Sequence, residues 1–128
     1  MRTLKQIVRT SQAPQPIGPY SQGVKAGGFL FVSAQAPIDA KTGNIVAGDI
    51  ESQTHRVLQN VKSIIEAAGL ALGDAVKVTV ILRNIADFQR MNTIYKEYFP
   101  ENPPTRTTIE AKLPSPDMLI AVDAIAYH

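Results

Sequence analysis

The sequence predicts an α+β fold, with one mixed β-sheet and two helices on one of its faces, in the order β-β-β-α-β-α-β-β. Three observations lead there. Short runs rich in β-branched and aromatic residues recur along the chain and read as strands. Two segments, Asp49 to Ala68 and about Asp87 to Phe99, carry apolar residues at helical spacing. Each of these lies between strands and ends at a glycine or a proline, which gives an α+β layer. The 128 residues suit a single domain spanning 1–128, able to bury roughly two thirds of its unfolded surface.

The elements follow in order. Residues 4–9 read as a short first strand. Thr10 to Pro19 holds three prolines and reads as a stiff extended loop. It delivers Tyr20, either as a half-buried loop tyrosine bonded to backbone or as a fixed functional group. Gln22 to Ala26 and Phe29 to Ala34 flank Gly27-Gly28, a two-residue loop suited to a primed hairpin turn. Phe29 to Val32 is apolar on both faces, as in a central strand. Ser33 ends that strand, either satisfied by backbone or as a polar group at a pocket floor. A loop over 37–48 turns at Lys41-Thr42-Gly43-Asn44.

In the first helix Asp49 can cap the start and Gly69 the end. Ile50, Thr54, Val57, Val61, Ile64, Ile65 and Ala68 form its apolar stripe, which leaves His55 on the solvated face. Ala75 to Arg83 is a strand whose buried face is Val76, Val78, Val80 and Leu82. The second helix buries Phe88, Met91, Tyr95 and Phe99, with Tyr98 at the edge. Asn92 lies inside that stripe. A carboxamide there costs about 1–3 kcal/mol if unpaired, so it meets a buried backbone group or lines a polar cavity.

Pro103-Pro104 then stops the chain and opens a strand at Thr105. Arg106, Thr108, Glu110 and Lys112 share one face of it, while Thr105, Thr107, Ile109 and Ala111 share the other. Arg106 thus sits on a stiff, pre-set backbone. Its guanidinium suits a small carboxylate, gripped by two parallel N–H···O bonds, or else pairs with a nearby acid. Glu110 is not that acid within the strand, being roughly 13 Å away. Met118 to Tyr127 is the last strand, with Leu119, Ala121, Asp123, Ile125 and Tyr127 on one face. Asp123 is expected to pair with a lysine or arginine. With both helices on one side of so apolar a sheet, self-association should cover the other.

Composition narrows the chemistry. There is no cysteine, so no disulfide and no thiolate. The two histidines, His55 and His128, support no zinc site, and no phosphate-loop or nucleophile-elbow motif is present. Net charge is +2 with the 13 basic residues scattered, so no nucleic-acid partner is expected. No apolar run approaches the ~20 residues of a membrane span, and no signal peptide is evident, so a cytoplasmic location is expected. An enzyme built from this chain is expected to be cofactor-free and to bind a small carboxylate and position a water.

The chain also resembles a known family. Ile17-Gly18-Pro19-Tyr20-Ser21-Gln22, Val32-Ser33-Ala34-Gln35, Lys41-Thr42-Gly43, Asn60-Val61-Lys62 with Glu66-Ala67-Ala68-Gly69, Asp87-Phe88 with Met91-Asn92, Pro104-Thr105-Arg106, Leu113-Pro114 and Asp123-Ala124-Ile125-Ala126 resemble the Rid, or YjgF-like, family over nearly the whole chain. That resemblance implies a chorismate-mutase-like fold and a homotrimer with sites in the clefts between subunits. It implies hydrolysis of 2-imino acids such as 2-iminobutanoate and 2-iminopropanoate to 2-keto acids and ammonia. By position, Arg106 would clamp the substrate carboxylate, and Tyr20 and Ser33 would line the pocket near the imine. Asn92 would face the cleft. Thr108 stands where many members have cysteine and would offer its backbone N–H, and Ala34 stands where glycine is common.

One departure matters. Deaminase members carry Ile-Glu-x-Glu-Ala in the last strand, and this chain has Ile120-Ala121-Val122-Asp123-Ala124. The first glutamate's position is Ala121. Asp123 matches the second acid and is a candidate acid or base, but it lies roughly 6–7 Å along the strand. Reduced deaminase activity is one reading. A non-catalytic binder of 2-keto acids is another, and an RNA-directed role, described for some family members, is a third.

Overall fold

The computed structural model describes residues 4–128. Its elements are β1 (Gln6–Val8), β2 (Gly23–Ala26), β3 (Phe29–Gln35), α1 (Ile50–Ala67), β4 (Ala75–Leu82), α2 (Phe88–Tyr98), β5 (Thr105–Glu110) and β6 (Ile120–Tyr127), with single 3-10 turns at Leu72–Asp74 and Ile85–Asp87. This is the order expected from the sequence. The strands form one six-stranded sheet, β1-β2-β3-β6-β4-β5. Each neighbouring pair is antiparallel except β4 and β5, which run parallel. Parallel neighbours need a long crossover, and α2 supplies it.

The core lies between one sheet face and the two helices. Leu30, Val32, Val78, Val80, Leu82, Ile120 and Val122 point from the sheet into Val57, Leu58, Val61, Ile64 and Met91, all essentially without solvent contact. Each such aliphatic side chain contributes about 1.5–3 kcal/mol by leaving water. The α1 stripe is buried as its periodicity predicts, and Asp49 caps the helix by accepting from Ser52 N at 2.9 Å. The carboxyl of Asp49 is held below its ordinary pKa, first by that backbone hydrogen bond.

Three polar side chains are buried to tie loops together. Gln53 donates to Val46 O and Asp117 O and accepts from Leu119 N. Asn60 donates to Ala36 O and Ile38 O. Gln22 accepts from Thr10 N at 2.7 Å and donates to Thr10 O, Ala13 O and Pro14 O. Arg83, half-buried, holds the loop before β6 through Leu113 O, Ser115 O and Met118 O.

The opposite face of the sheet carries Phe29, Phe31, Ile109 and Tyr127, each 43–53% exposed. The Phe29 and Tyr127 rings pack with centroids 4.8 Å apart, tilted by 54°. Three expectations are corrected. Val76 is 43% exposed rather than buried, because the β4–β6 register shifts between Ala75 and Lys77 and turns it outward. His55 is half-buried, its Nδ1 3.0 Å from the Tyr98 hydroxyl, because α2 packs beside that face of α1. Asp123 forms no salt bridge among the described residues; its cross-strand neighbour is Thr79.

Candidate functional site

Arg106 lies on β5, the edge strand that follows the two prolines. It pairs in register with Val78, whose side chain is in the core, so the guanidinium points to the helix side of the sheet. There its Cζ sits 4.7 Å from the centre of the Tyr95 ring and 5.4 Å from that of Phe88. Among the described residues it has no acidic partner and no side-chain hydrogen bond. Glu110, on the same strand face, is engaged elsewhere and accepts from Ile85 N at 2.9 Å. With no protein acceptor on them, its N–H donors remain available, and these are the groups that grip a carboxylate.

The guanidinium borders an open cavity of about 480 Å³ lined by Asn92, Tyr95, Lys96, Phe99, Pro103, Pro104 and Arg106. No acid lines it. Asn92 Oδ1 is buried and has no hydrogen-bond partner, and the same is true of the Tyr95 hydroxyl. Of the two options the sequence leaves for Asn92, the structure gives the cavity wall. Burial pushes the Tyr95 hydroxyl pKa up, opposed by the charge of Arg106. Thr108 follows on the same strand face and is half-buried opposite Val80.

The other predicted residues form a second group. Tyr20 is 48% exposed, and its hydroxyl accepts from Ile17 N at 3.4 Å. It lines a separate cavity of about 300 Å³ with Arg9, Gln15, Pro16, Ser21 and Gln22. Ser33 Oγ donates to Ser21 O at 2.6 Å, and Ser33 N donates to Gln22 O at 2.9 Å. Ser33 and Ala34 sit where the β3–β6 register shifts, and Ala34 is exposed there. Strands β6 and β4 separate β3 from β5, which puts the Ser33 and Arg106 backbones roughly 14 Å apart within one chain.

Asp123 belongs with neither. It points to the outer face of β6 and borders a shallow hollow with Phe31, Lys77, Thr79 and Ile125. Ala121 lies on the same strand face and is 5% exposed. Two contributors went unnoticed in the sequence. Tyr95 reads there as one more apolar-stripe residue, and Gln22 as the start of a strand. The sole sequence signal for Tyr95 was its place one turn beyond Asn92. No group of acidic or histidine side chains among the described residues could hold a metal, and none of their helices is long and apolar enough to cross a membrane.

A family model described as endoribonuclease L-PSP matches residues 10–128. The chain belongs to this family, the YjgF or Rid family. A RutC family protein of Pyrococcus horikoshii is 53% identical to it over 124 residues, covering 97% of this chain and 98% of the relative. A protein of Salmonella typhimurium named 2-iminobutanoate/2-iminopropanoate deaminase is 43% identical over 127 residues, covering 96% and 98%. The crystal structure of Escherichia coli TdcF with bound serine superposes with a TM-score of 0.91 at 39% identity, covering 96% of this chain and 98% of that one. Proteins named as imine deaminases therefore lie within the family. The fold expected from the sequence is the fold of these neighbours.

Proposed function

We propose that this protein hydrolyses small 2-imino acids, 2-iminobutanoate and 2-iminopropanoate, to 2-keto acids and ammonia. The observation that carries the reading is the Arg106 guanidinium, held over aromatic rings with no acid beside it and bordering a cavity that Asn92 also lines. A site of that kind recognises a single carboxylate through two parallel hydrogen bonds. The deaminase name of the Salmonella relative supports the choice of substrate.

Water adds to C2 of the protonated imine, giving a carbinolamine. The C2–N bond then breaks, the nitrogen leaves as ammonium and the new C–O bond becomes the ketone. The chain contributes by holding the carboxylate at Arg106, with the Thr108 backbone beside it, so that C2 is presented to water. Tyr20, Ser33 and Ala34 lie too far away to touch that substrate from the same chain. In this reading they come from a neighbouring subunit of a homotrimer, packed through the apolar outer face of the sheet. Asp123, on that same outer face, is then the candidate acid or base nearest a subunit boundary. No cofactor is needed.

The test is release of 2-ketobutyrate from 2-iminobutanoate generated in situ, with wild type against Arg106→Ala. Loss of the accelerated release in the variant is expected. Equal rates would remove Arg106 from any catalytic role.

A second reading rests on Ala121, which puts a methyl group where the deaminase pattern has a carboxylate. Positioned acid–base help is worth typically 10²–10⁴-fold, so the chain could bind 2-keto acids without turning over imines. Ala121→Glu separates the two. If that variant gains an activity the wild type lacks, the native protein is a binder.

A further inference from the structure

We infer that Tyr95 is a positioning residue of the anion site, its ring fixing the Arg106 guanidinium in the orientation that leaves the N–H edge open to ligand. This rests on the reading of Arg106 as the carboxylate clamp and adds what aims it. An arginine on an edge strand has a long, freely rotating side chain. The usual restraint is an acid, which would occupy the same N–H groups that a carboxylate ligand needs. Here the restraint is aromatic instead. The Tyr95 ring lies 4.7 Å from Cζ and the Phe88 ring 5.4 Å, both inside the roughly 6 Å range of a cation–π contact. No hydrogen bond or ion pair among the described residues takes an Arg106 guanidinium N–H, so its donors stay unspent.

The ring is itself well braced. Tyr95 is 7% exposed and packs on Phe99 with centroids 4.8 Å apart. Phe88 and Tyr95 are two helical turns apart on α2, which is pinned to the core by the fully buried Met91. The position of the guanidinium therefore follows from how α2 docks on the sheet. The ring does this work, not the hydroxyl, because the hydroxyl is buried and bonds to nothing.

The test is a double-mutant cycle on the full-length protein, read by calorimetric titration with 2-ketobutyrate, with melting curves to establish folding. Tyr95→Phe should bind within about two-fold of wild type, since the ring remains. Tyr95→Leu should weaken binding by about ten-fold, and should weaken Arg106→Ala no further. Wild-type affinity in Tyr95→Leu overturns the inference. So does a Tyr95→Phe variant as weak as Tyr95→Leu, or an equal loss from Tyr95→Leu in the Arg106→Ala background. If Arg106→Ala binds as tightly as wild type, the clamp itself falls and this inference with it. A ligand-free readout covers a Tyr95→Leu variant that fails to fold. The Arg106 Nε–H resonance should show an upfield ring-current shift in wild type and Tyr95→Phe, reduced in Phe88→Leu. A random-coil position in the wild type refutes the stacking.

Discussion

Gln22 offers the sharpest test of how the Tyr20 loop is held. Its side chain is 1% exposed and makes four hydrogen bonds to the backbone of Thr10, Ala13 and Pro14. Ser33, through its own bonds to Ser21 O and Gln22 O, fastens the other end of the same loop. Gln22→Ala removes all four bonds. Water can reach some of the freed backbone groups, so two or three bonds are lost at about 1 kcal/mol each, with a small packing loss added. The sum is a destabilisation of roughly 2–4 kcal/mol, or a fall in Tm of about 6–15 °C for a chain of this size. Urea denaturation at fixed protein concentration should show a lower midpoint with an unchanged slope. Gln22→Glu should be at least as damaging at neutral pH, because it sets a carboxylate against three carbonyl oxygens. Its folded-state pKa would be raised, so stability should recover as pH falls and the group protonates. An unchanged midpoint in Gln22→Ala, with the Thr10 amide still protected from exchange, would refute the reasoning.

Other predictions follow from the fold. Phe31→Lys puts a charge in the exposed apolar face of the sheet, and should convert the proposed trimer to monomer in analytical ultracentrifugation with the fold retained by circular dichroism; a monomeric wild type would contradict the proposed assembly, and a trimeric variant would relocate the subunit contact. Asp49→Asn tests the α1 cap. The Asp49 pKa is lowered in the fold, so its contribution is present above the unfolded-state carboxylate value and is lost as pH falls through the folded one. The stability difference between wild type and Asp49→Asn should therefore shrink on acidification, read from urea midpoints across the acid range, and a constant difference contradicts the capping account. Ala121→Glu should raise imine hydrolysis where acid–base help limits the native rate, measured as 2-ketobutyrate release, and an unchanged rate would show that this position does not serve the reaction.

Much of the fold was legible because it is written in local periods. The order of strands and helices, the α1 stripe with its Asp49 cap, and the alternation that puts Arg106 and Thr108 together all come from spacing two or 3.6. Where the pattern depends on a partner strand it misleads, as at Val76, which a bulge turns outward. The proposed anion site was half legible. Arg106 and Asn92 stood out because a charge at a proline-stiffened strand and an amide in an apolar stripe both need explaining. Tyr95 did not, since an aromatic in a stripe looks like core until a cation is found on its face. Gln22 and Gln53 were illegible for a related reason: their partners are backbone groups of distant loops, and backbone groups leave no mark in a side-chain pattern. The separation of Ser33 from Arg106 within one chain was equally hidden, because the strand order is set by tertiary pairing. Asp123 was expected to have a basic partner, and its face is open instead.

The most direct measurement is a crystal of this protein soaked with 2-ketobutyrate, which has the product's carboxylate and keto group. The account predicts ligand density with its carboxylate on the Arg106 N–H edge, the guanidinium still stacked on Tyr95, and Tyr20 and Ser33 of a neighbouring subunit facing the keto carbon. A ligand bound away from Arg106, or a guanidinium turned into bulk solvent with no neighbouring subunit near it, would contradict it.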